Sequence, residues 1–334
     1  MPKSLLILLA STALMLLGCT PQPTYKTVGG TMLGTTLAVI TDAPQSQGAI
    51  HAACMQIDRE AKQSMSIFDP ASLLSRINRN ETDSLDRHIT RNILLADSIS
   101  RLSGGAYDIT VCPLVKAWGF AGKAAEAAPN IDSILAFIGY EKIQIRDGRL
   151  LKADPRMAID LNSIAKGYTV DLVAEWLENE GVTNYLVDIG GEVRCRGVNR
   201  QGKAWRIGIE TPFDGNMTEG DYISRRIALH EGALATSGNY RRFYLDSEGR
   251  KVAHTIDPRT GYSRLSRLLS ATVIAPSCAE ADALCTMLMA LGDTEALAFC
   301  ATHPELPVCL ILADDEHEYA EYLSPAMQQR ILQE

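Results

Sequence analysis

The sequence predicts an α+β protein in which mixed sheets are flanked by helices. Stretches with the 3.6-residue apolar period of a helix are interspersed with short apolar runs typical of strands. They follow no strict βαβ repeat, and the sequence contains no internal repeat or low-complexity insert. Linker signals are too weak to divide this part of the chain, so we predict one domain behind an N-terminal leader.

The individual elements are predicted from the spacing of their apolar residues and from the residues that end them. Glycines stand directly after several of the helical stretches. The predicted helices are 50–68, 89–103, 131–138, 163–180 and 278–291, with a further helix from residue 294. The predicted strands are 37–40, 142–146, 185–188, 205–209, 225–229, 242–245, 252–256 and 271–275. The turn at 247–249 contains glycine and predicts a hairpin between the strands on either side of it.

The leader is an apolar run at 5–17, too short to span a bilayer comfortably, and it ends in "LLGC". Gly18-Cys19 resembles the lipobox of bacterial lipoproteins, in which the cysteine becomes the lipidated (palmitate-bearing) first residue. An ordinary cleaved signal peptide and a short uncleaved anchor are the alternatives, and both also send the chain across the membrane. We therefore expect a signal peptide at 1–19, a Pro-rich tether at 20–30 and one domain at 31–334, lipid-anchored in a bacterial envelope and facing the periplasm.

The composition excludes several function classes. The chain has 40 acidic and 32 basic residues, without a block of Lys or Arg, so it lacks a nucleic-acid or anionic-membrane surface. Of its eight cysteines, those other than Cys19 lie mostly in apolar runs, and none forms a CxxC or Cys/His cluster. This pattern indicates buried thiols rather than zinc or a disulfide framework.

The polar stretches between the elements carry the candidate sites. In "DLNSIAKGY", Asp160 ends a strand or loop, Asn162-Ser163 stand at a helix N-cap, and Lys166 lies in the first turn. Free N–H groups, the positive helix end and a lysine together favour a phosphate or carboxylate, although an ordinary capped helix has the same pattern. In "LVDIGGEVR" the Gly-Gly pair permits close approach of a ligand or simply forms a tight turn.

Two further loops, "ATSGNYRR" and "HTIDPRTG", are dense in hydroxyls, an amide and turn formers. His254 in the second loop is not needed for a turn, although a single histidine is more often structural than catalytic. In "AEADALCTML", Asp282 and Thr286 are spaced i and i+4 on the helix face opposite Leu284 and Leu288. That spacing permits either a solvated polar face or a pair of oxygen ligands.

Together these stretches resemble the FAD:protein FMN transferases, the flavin transferases of the thiamine-biosynthesis lipoprotein (ApbE) type. The resemblance runs from about residue 31 to residue 292, in the family's order. The matching motifs are "TMLGTT", "SIFDPASLLSRIN", "AYDITVCPLVKAWGF", "IDLNSIAKGYTVD", "YLVDIGGEVRCRG", "WRIGIETP", "ATSGNY", "HTIDPRTG" and "EADALCT". The chain departs from the family pattern at Leu33, which separates Met32 from Gly-Thr, and at Asn239, where Asp is common.

The resemblance implies the ApbE-like flavin transferase fold and an FAD site. Phe68 would stack on a flat ring of FAD, or else belong to the core. Other positions that correspond to FAD contacts are Met32, Ala106, Tyr107, Asp108, Asp160, Lys166 and the backbone around Ile256. Among them Asp160 would accept from ribose or adenine, and Lys166 would neutralise the pyrophosphate.

The resemblance also implies a Mg²⁺ site. Asp282 and Thr286 stand where the family has magnesium ligands, together with the backbone carbonyl at the position of Ser163. Hard oxygen donors with open water positions suit Mg²⁺ when phosphates complete its shell.

The implied reaction is FMN transfer to a Thr or Ser hydroxyl of an acceptor protein, of the redox-pump subunit type, with release of AMP. His254 would act as the general base. A Mg²⁺-dependent FAD pyrophosphatase and a non-catalytic FAD-binding lipoprotein remain as alternatives, since one metal geometry can activate either water or a protein hydroxyl.

Overall fold

The computed structural model describes residues 24–120, 129–212, 222–239, 243–245, 251–264, 266–314 and 319–332. The predicted signal peptide, including Cys19, lies outside these residues. So does the turn predicted at 247–249, although the two strands beside it are described.

The main element is an eight-stranded sheet in which every neighbouring pair is antiparallel. Its strands, in order across the sheet, are β1 (Lys26–Met32), β2 (Thr35–Thr41), β5 (Tyr185–Ile189), β6 (Glu192–Arg196), β9 (Glu231–Gly238), β12 (Leu268–Ala275), β13 (Val308–Ala313) and β14 (Tyr319–Leu323). Three antiparallel pairs stand apart from it: β3 (Ile143–Arg146) with β4 (Arg149–Lys152), β7 (Trp205–Glu210) with β8 (Ile223–Leu229), and β10 (Phe243–Leu245) with β11 (Lys251–Ala253).

Most of the described α-helices begin after a residue whose side chain accepts a hydrogen bond from the first turn. Ser46, Asp86 and Ser277 cap three of them in this way. The α-helices are α1 (Gln47–Met65), α2 (Leu73–Asn78), α3 (Arg87–Leu102), α4 (Cys112–Ala117), α5 (Ile131–Leu135), α6 (Ala165–Asn179), α7 (Cys278–Thr302) and α8 (Pro325–Gln328). Short 3₁₀ turns occupy Ile109–Val111 and Tyr140–Lys142.

The sheet is buried on both faces by different layers. Alternate residues of its central strands point to opposite sides, as strand geometry requires. On one side Val273 and Leu310 pack in a core with α3 and α7. On the other side Ile274 and Ile311 pack against the β7–β8 hairpin. A second core joins α1 and α6 to β1, β2 and β5, and Val187 lies within it.

Helix α7 is the core helix of the domain, and Gly292 divides it in two. Gly292 has φ 74°, a left-handed conformation that favours glycine, so the helix is interrupted there. This confirms the predicted helix end at residue 291 and the second helix beyond it. Among the described helices α7 alone is long and apolar enough to cross a membrane. However, 61% of its most apolar 18-residue stretch is buried inside the protein. Its apolar length is therefore accounted for by the core.

The predicted α+β class is confirmed, and the structure corrects some of its details. Strand β1 begins at Lys26, so residues 26–30 belong to the sheet and not to the tether. Strands β1, β4, β6, β9, β13 and β14 were not predicted. All seven cysteines in the described residues are free and buried, as the apolar runs around them indicated.

Candidate active site

The site lies where the first turns of α6 and α7 touch. A β-carbon on Gly167 would lie 2.2 Å from the Cys278 carbonyl oxygen, so only glycine permits this approach of two backbones. One turn further along α6, Asp171 accepts hydrogen bonds of 2.9 Å from the N–H groups of Cys278 and Ala279 and thereby caps α7. These contacts fix Asp282 relative to the start of α6.

Asp282 takes the place of a helical acceptor at the start of α6. Its Oδ2 accepts a 2.9 Å hydrogen bond from the Gly167 N–H, a group that would donate to the Ser163 carbonyl in a regular helix. No other described residue donates a hydrogen bond to this carboxylate. The Ser163 carbonyl is thus left without its intrahelical donor.

Asp282 belongs to a buried charge cluster with Lys166 and Glu192. Lys166 Nζ forms an ion pair with Glu192 Oε2, and Glu192 and Asp282 are only 2% and 5% exposed. Burial raises the pKa of Glu192 to about 8 and that of Asp282 to about 6. Burial also opposes the charge on Lys166, but the two carboxylates outweigh it and raise the pKa of the ammonium group. Two carboxyl groups thus face one ammonium group.

Thr286 lies one turn beyond Asp282 on α7, and its Oγ1 is 3.3 Å from Ser237 Oγ on β9. The side chain is half-buried. Asp282 and Met289 on the same face are buried, so the solvated-face alternative is wrong. This face of α7 packs against the protein and carries its two oxygen donors inward.

The predicted N-cap at Asn162-Ser163 is wrong. Helix α6 begins at Ala165, and its N-cap, Ile164, has no side-chain capping bond. Asp160 instead stabilises the turn before the helix, because its Oδ1 accepts a 2.8 Å hydrogen bond from the Asn162 N–H. Burial raises the pKa of Asp160.

Tyr107 and Asp108 support the same turn from the preceding loop. The Tyr107 hydroxyl lies 2.9 Å from Ser163 Oγ. The Asp108 carboxylate accepts hydrogen bonds of 2.7 Å from the Thr110 N–H, the Thr110 hydroxyl and the Tyr140 N–H, and burial raises its pKa to about 6. Asp108 therefore holds the loop together, and its contact with FAD stays a prediction.

Of the remaining side chains predicted to contact FAD, two are buried and Phe68 is exposed to solvent. Met32 is 0% exposed and Ala106 is also buried, so both pack in the core of this structure and their contacts with FAD stay predictions. Phe68 is 61% exposed, which excludes the core alternative. It lines a surface pocket of about 200 Å³ together with Asn78, Arg79 and Lys116. An exposed ring beside two cationic side chains is available for stacking.

His254 is half-buried on the loop that follows β11. The ring of Phe120 meets it edge-on, with centroids 6.4 Å apart. The next residue, Thr255, donates a 2.8 Å hydrogen bond to Asn239 Oδ1, and Asn239 stands two residues after Ser237, the neighbour of Thr286. The histidine loop is thereby connected to the Thr286 side of the site.

The same loop is anchored to α7 by an ion-pair network. The buried Asp257 pairs with Arg259 at 2.9 Å, and Arg259 also binds Glu295 at 2.8 Å. Arg264 donates to Glu295 at 2.6 Å and to the Leu291 carbonyl at 2.8 Å. The loop is thus bonded to α7 on both sides of the interruption at Gly292, at Leu291 and at Glu295. In contrast, the Ile256 side chain packs in a small apolar cluster.

Two site residues were missed by sequence reasoning, Glu192 and Asp171. Glu192 directly follows Gly190-Gly191, whose φ values of 63° and 92° form the two-residue turn between β5 and β6. The turn interpretation of the glycine pair is therefore confirmed. A carboxylate within a buried strand was the available signal, since buried charges are normally paired.

The described residues contain no group of three or more His, Cys, Asp or Glu side chains that could hold a metal ion. The donor set predicted for Mg²⁺ has a single carboxylate, completed by a hydroxyl and a carbonyl, so it does not depend on such a group. It agrees with the structure in two respects: the Ser163 carbonyl lacks its helical donor, and the buried cluster has an excess of carboxyl groups. Both features suit a small hard cation.

The fold is that of the solved flavin transferases. The flavin transferase ApbE from Vibrio cholerae matches with a TM-score of 0.80 and 31% identity, over 92% of this chain and 99% of that chain. The apo form of the Pseudomonas stutzeri flavinyl transferase ApbE gives a TM-score of 0.82 and 28% identity, over 93% of this chain and 98% of that chain.

Sequence comparison gives the same result. The model of the ApbE family matches residues 32–310. A Vibrio cholerae FAD:protein FMN transferase is 36% identical, over 95% of this chain and 97% of its own length. A Haemophilus influenzae protein of the same name is 36% identical, over 92% of each chain. The chain belongs to the ApbE family.

Proposed function

We propose that this protein transfers FMN from FAD to a Thr or Ser hydroxyl of an acceptor protein and releases AMP. The hydroxyl oxygen attacks the phosphorus on the riboflavin side of the pyrophosphate, and the bond from that phosphorus to the AMP phosphate breaks. The hydroxyl proton passes to a base, and FMN stays on the acceptor as a phosphoester. The observation that carries the proposal is the Gly167–Asp282 hydrogen bond, because it places a buried carboxylate on the N–H group that would otherwise donate to the Ser163 carbonyl. Family membership supports the same reaction.

Mg²⁺ is the metal that we propose for this site. Asp282, the Thr286 hydroxyl and the Ser163 carbonyl would hold it, and when bound it would offset the negative charge of the transferring phosphate. The chain's own part is to fix those oxygens, through the Gly167 N–H on Asp282 and Ser237 beside Thr286. Lys166 supplies the one ammonium group of the buried charge cluster.

His254 is the proposed base for the acceptor hydroxyl. It stands on a loop tied by Thr255 and Asn239 to the strand that contacts Thr286. Its side chain is half-buried, so an acceptor can reach it from solvent. Imidazole is the side chain that most often serves as a general base in enzymes.

Mass spectrometry tests the reaction. The purified protein is mixed with FAD, Mg²⁺ and a candidate acceptor, for which we propose a redox-pump subunit. We expect the acceptor to gain the mass of one FMN while AMP appears in equal amount. Free FMN together with AMP would instead identify a pyrophosphatase, and unchanged FAD would identify a carrier.

We also propose that the protein is a lipoprotein anchored through Cys19 on the periplasmic side of a bacterial membrane, motivated by the "LLGC" end of its leader. Cys19→Ser should abolish lipidation and release the protein from the membrane fraction. Fractionation with metabolic labelling by a fatty acid measures both effects. A Cys19→Ser protein that stays in the membrane and migrates like the wild type would contradict the proposal.

A further inference from the structure

The pairing of Lys166 with Glu192 changes what this lysine can offer to a ligand. The Glu192 carboxylate is almost fully buried at the start of β6, and its Oε2 contacts Lys166 Nζ. The Lys166 side chain keeps 35% of its surface exposed, whereas the Glu192 side chain keeps only 3%. A lysine held in this way is not a free cation for a pyrophosphate, although the sequence alone suggested that role.

Among the described residues, the charged side chains that act most strongly on this pair are the carboxylates of Asp282 and Asp188. Asp282 acts on both Lys166 and Glu192, and Asp188 adds a further negative charge near Glu192. Asp171 also lies close to Asp282, but its charge is met by Arg194 at 2.8 Å. With one ammonium group against two carboxyl groups, the buried charge cluster has no net positive charge unless both carboxyl groups are protonated.

We propose that Glu192 makes FAD binding depend on the divalent metal, because it neutralises Lys166 and leaves the pyrophosphate no excess positive charge until the metal is bound. The inference rests on the proposed function, since it takes FAD and Mg²⁺ as the ligands. Glu192 is a positioning residue in this scheme, because it acts through Lys166 and the metal site and does not touch the substrate. Its effect is to keep the pyrophosphate out of the metal-free site.

The test is FAD affinity with and without metal, measured by the change in flavin fluorescence on titration of the full chain in MgCl₂ or in EDTA. We expect the wild type to bind FAD much more tightly in MgCl₂. Glu192→Gln keeps the shape of the side chain and removes one of the two negative charges that face Lys166 and repel the pyrophosphate. Its affinity in EDTA should rise by about tenfold or more, the size of one charge-assisted hydrogen bond. The difference between MgCl₂ and EDTA should shrink accordingly.

Two controls make the result specific. Glu175→Gln removes a carboxylate from α6 that pairs with Arg91 at 2.6 Å away from the cluster, so it should keep the wild-type dependence on metal. Adding Lys166→Met to Glu192→Gln should remove the gained affinity in EDTA, because the ammonium group is then absent. A Glu192→Gln protein that folds but keeps the wild-type ratio of affinities would overturn the inference.

The wild type alone also tests the inference if the variant does not fold. Equal FAD affinity in MgCl₂ and EDTA would overturn it, even for a protein that transfers FMN. Conversely, metal-linked FAD binding that Glu192→Gln relieves, in a protein that transfers no FMN, would support the inference and overturn the proposed function. The two failures are therefore distinguishable.

Discussion

Replacing Asp282 by alanine should abolish Mg²⁺-dependent FMN transfer while the domain stays folded. The change removes the only carboxylate of the proposed metal site, so the charge on the transferring phosphate is no longer offset. We expect turnover to fall by about 10²-fold or more, as for loss of a group that stabilises developing charge. Alanine favours helices, and the cost to stability is mainly the lost hydrogen bond from the Gly167 N–H, roughly 1.5–3 kcal/mol.

Asp282→Asn separates the two roles of this side chain. The amide oxygen can still accept from the Gly167 N–H, so the start of α6 keeps its geometry, but the negative charge is lost. We expect near-normal thermal stability together with the same loss of turnover. Thr286→Val, which keeps the shape and removes the hydroxyl, should act in the same direction more weakly, because water can replace a neutral ligand.

The measurement is AMP release as a function of Mg²⁺ concentration, together with the thermal midpoint of each variant. Loss of turnover in Asp282→Asn at an unchanged midpoint supports the metal site, and Asp282→Ala should show the same loss at a midpoint lowered by the missing hydrogen bond. Normal turnover with normal Mg²⁺ dependence in Asp282→Ala would show that the metal is held elsewhere.

The elements predicted best from the sequence have a regular spacing of apolar residues and a residue that ends them. Helix α7 has both, because a long apolar stretch ends at Gly292, which adopts φ 74°. The strands that were missed lack such signals. Strand β13, Val308–Ala313, is buried along most of its length and shows no alternation of polar and apolar residues. Strand β1 is rich in exposed residues and follows a Pro-rich segment, so its place in the sheet depends on pairing with β2.

The site was predicted from its motifs, but its contacts were not. Asp282 and Lys166 were predicted for one site, and α6 and α7 place them in one charge cluster, with Thr286 one turn beyond Asp282. The pairing of Lys166 with Glu192 and the hydrogen bond from Gly167 to Asp282 join distant parts of the chain. No local period reports such contacts. The exposure of Phe68 and the burial of Met32 likewise follow from packing of the whole domain.

Replacing Gly167 by alanine should both destabilise the domain and reduce FMN transfer, although the change adds a single methyl group. The new β-carbon would lie 2.2 Å from the Cys278 carbonyl oxygen and 2.9 Å from the Ala279 nitrogen. These are backbone atoms, so α6 and α7 must move apart. Overpacking of this kind costs about 1–3 kcal/mol of the free energy of unfolding, occasionally more. The movement also lengthens the hydrogen bond from the Gly167 N–H to Asp282, and with it disturbs the proposed metal ligands.

Gly48→Ala is the matched control, because Gly48 also lies in the first turn of a helix, α1, and the atom nearest its added β-carbon is Ser46 Oγ at 4.0 Å. It should leave FMN transfer unchanged and leave stability equal or up to about 1 kcal/mol higher, since alanine favours a helix more than glycine does. Denaturant unfolding and AMP release measured on both variants compare the two sites directly. A Gly167→Ala protein as stable and as active as Gly48→Ala would mean that α6 and α7 do not meet at Gly167, and the close approach that orients Asp282 would have to be abandoned.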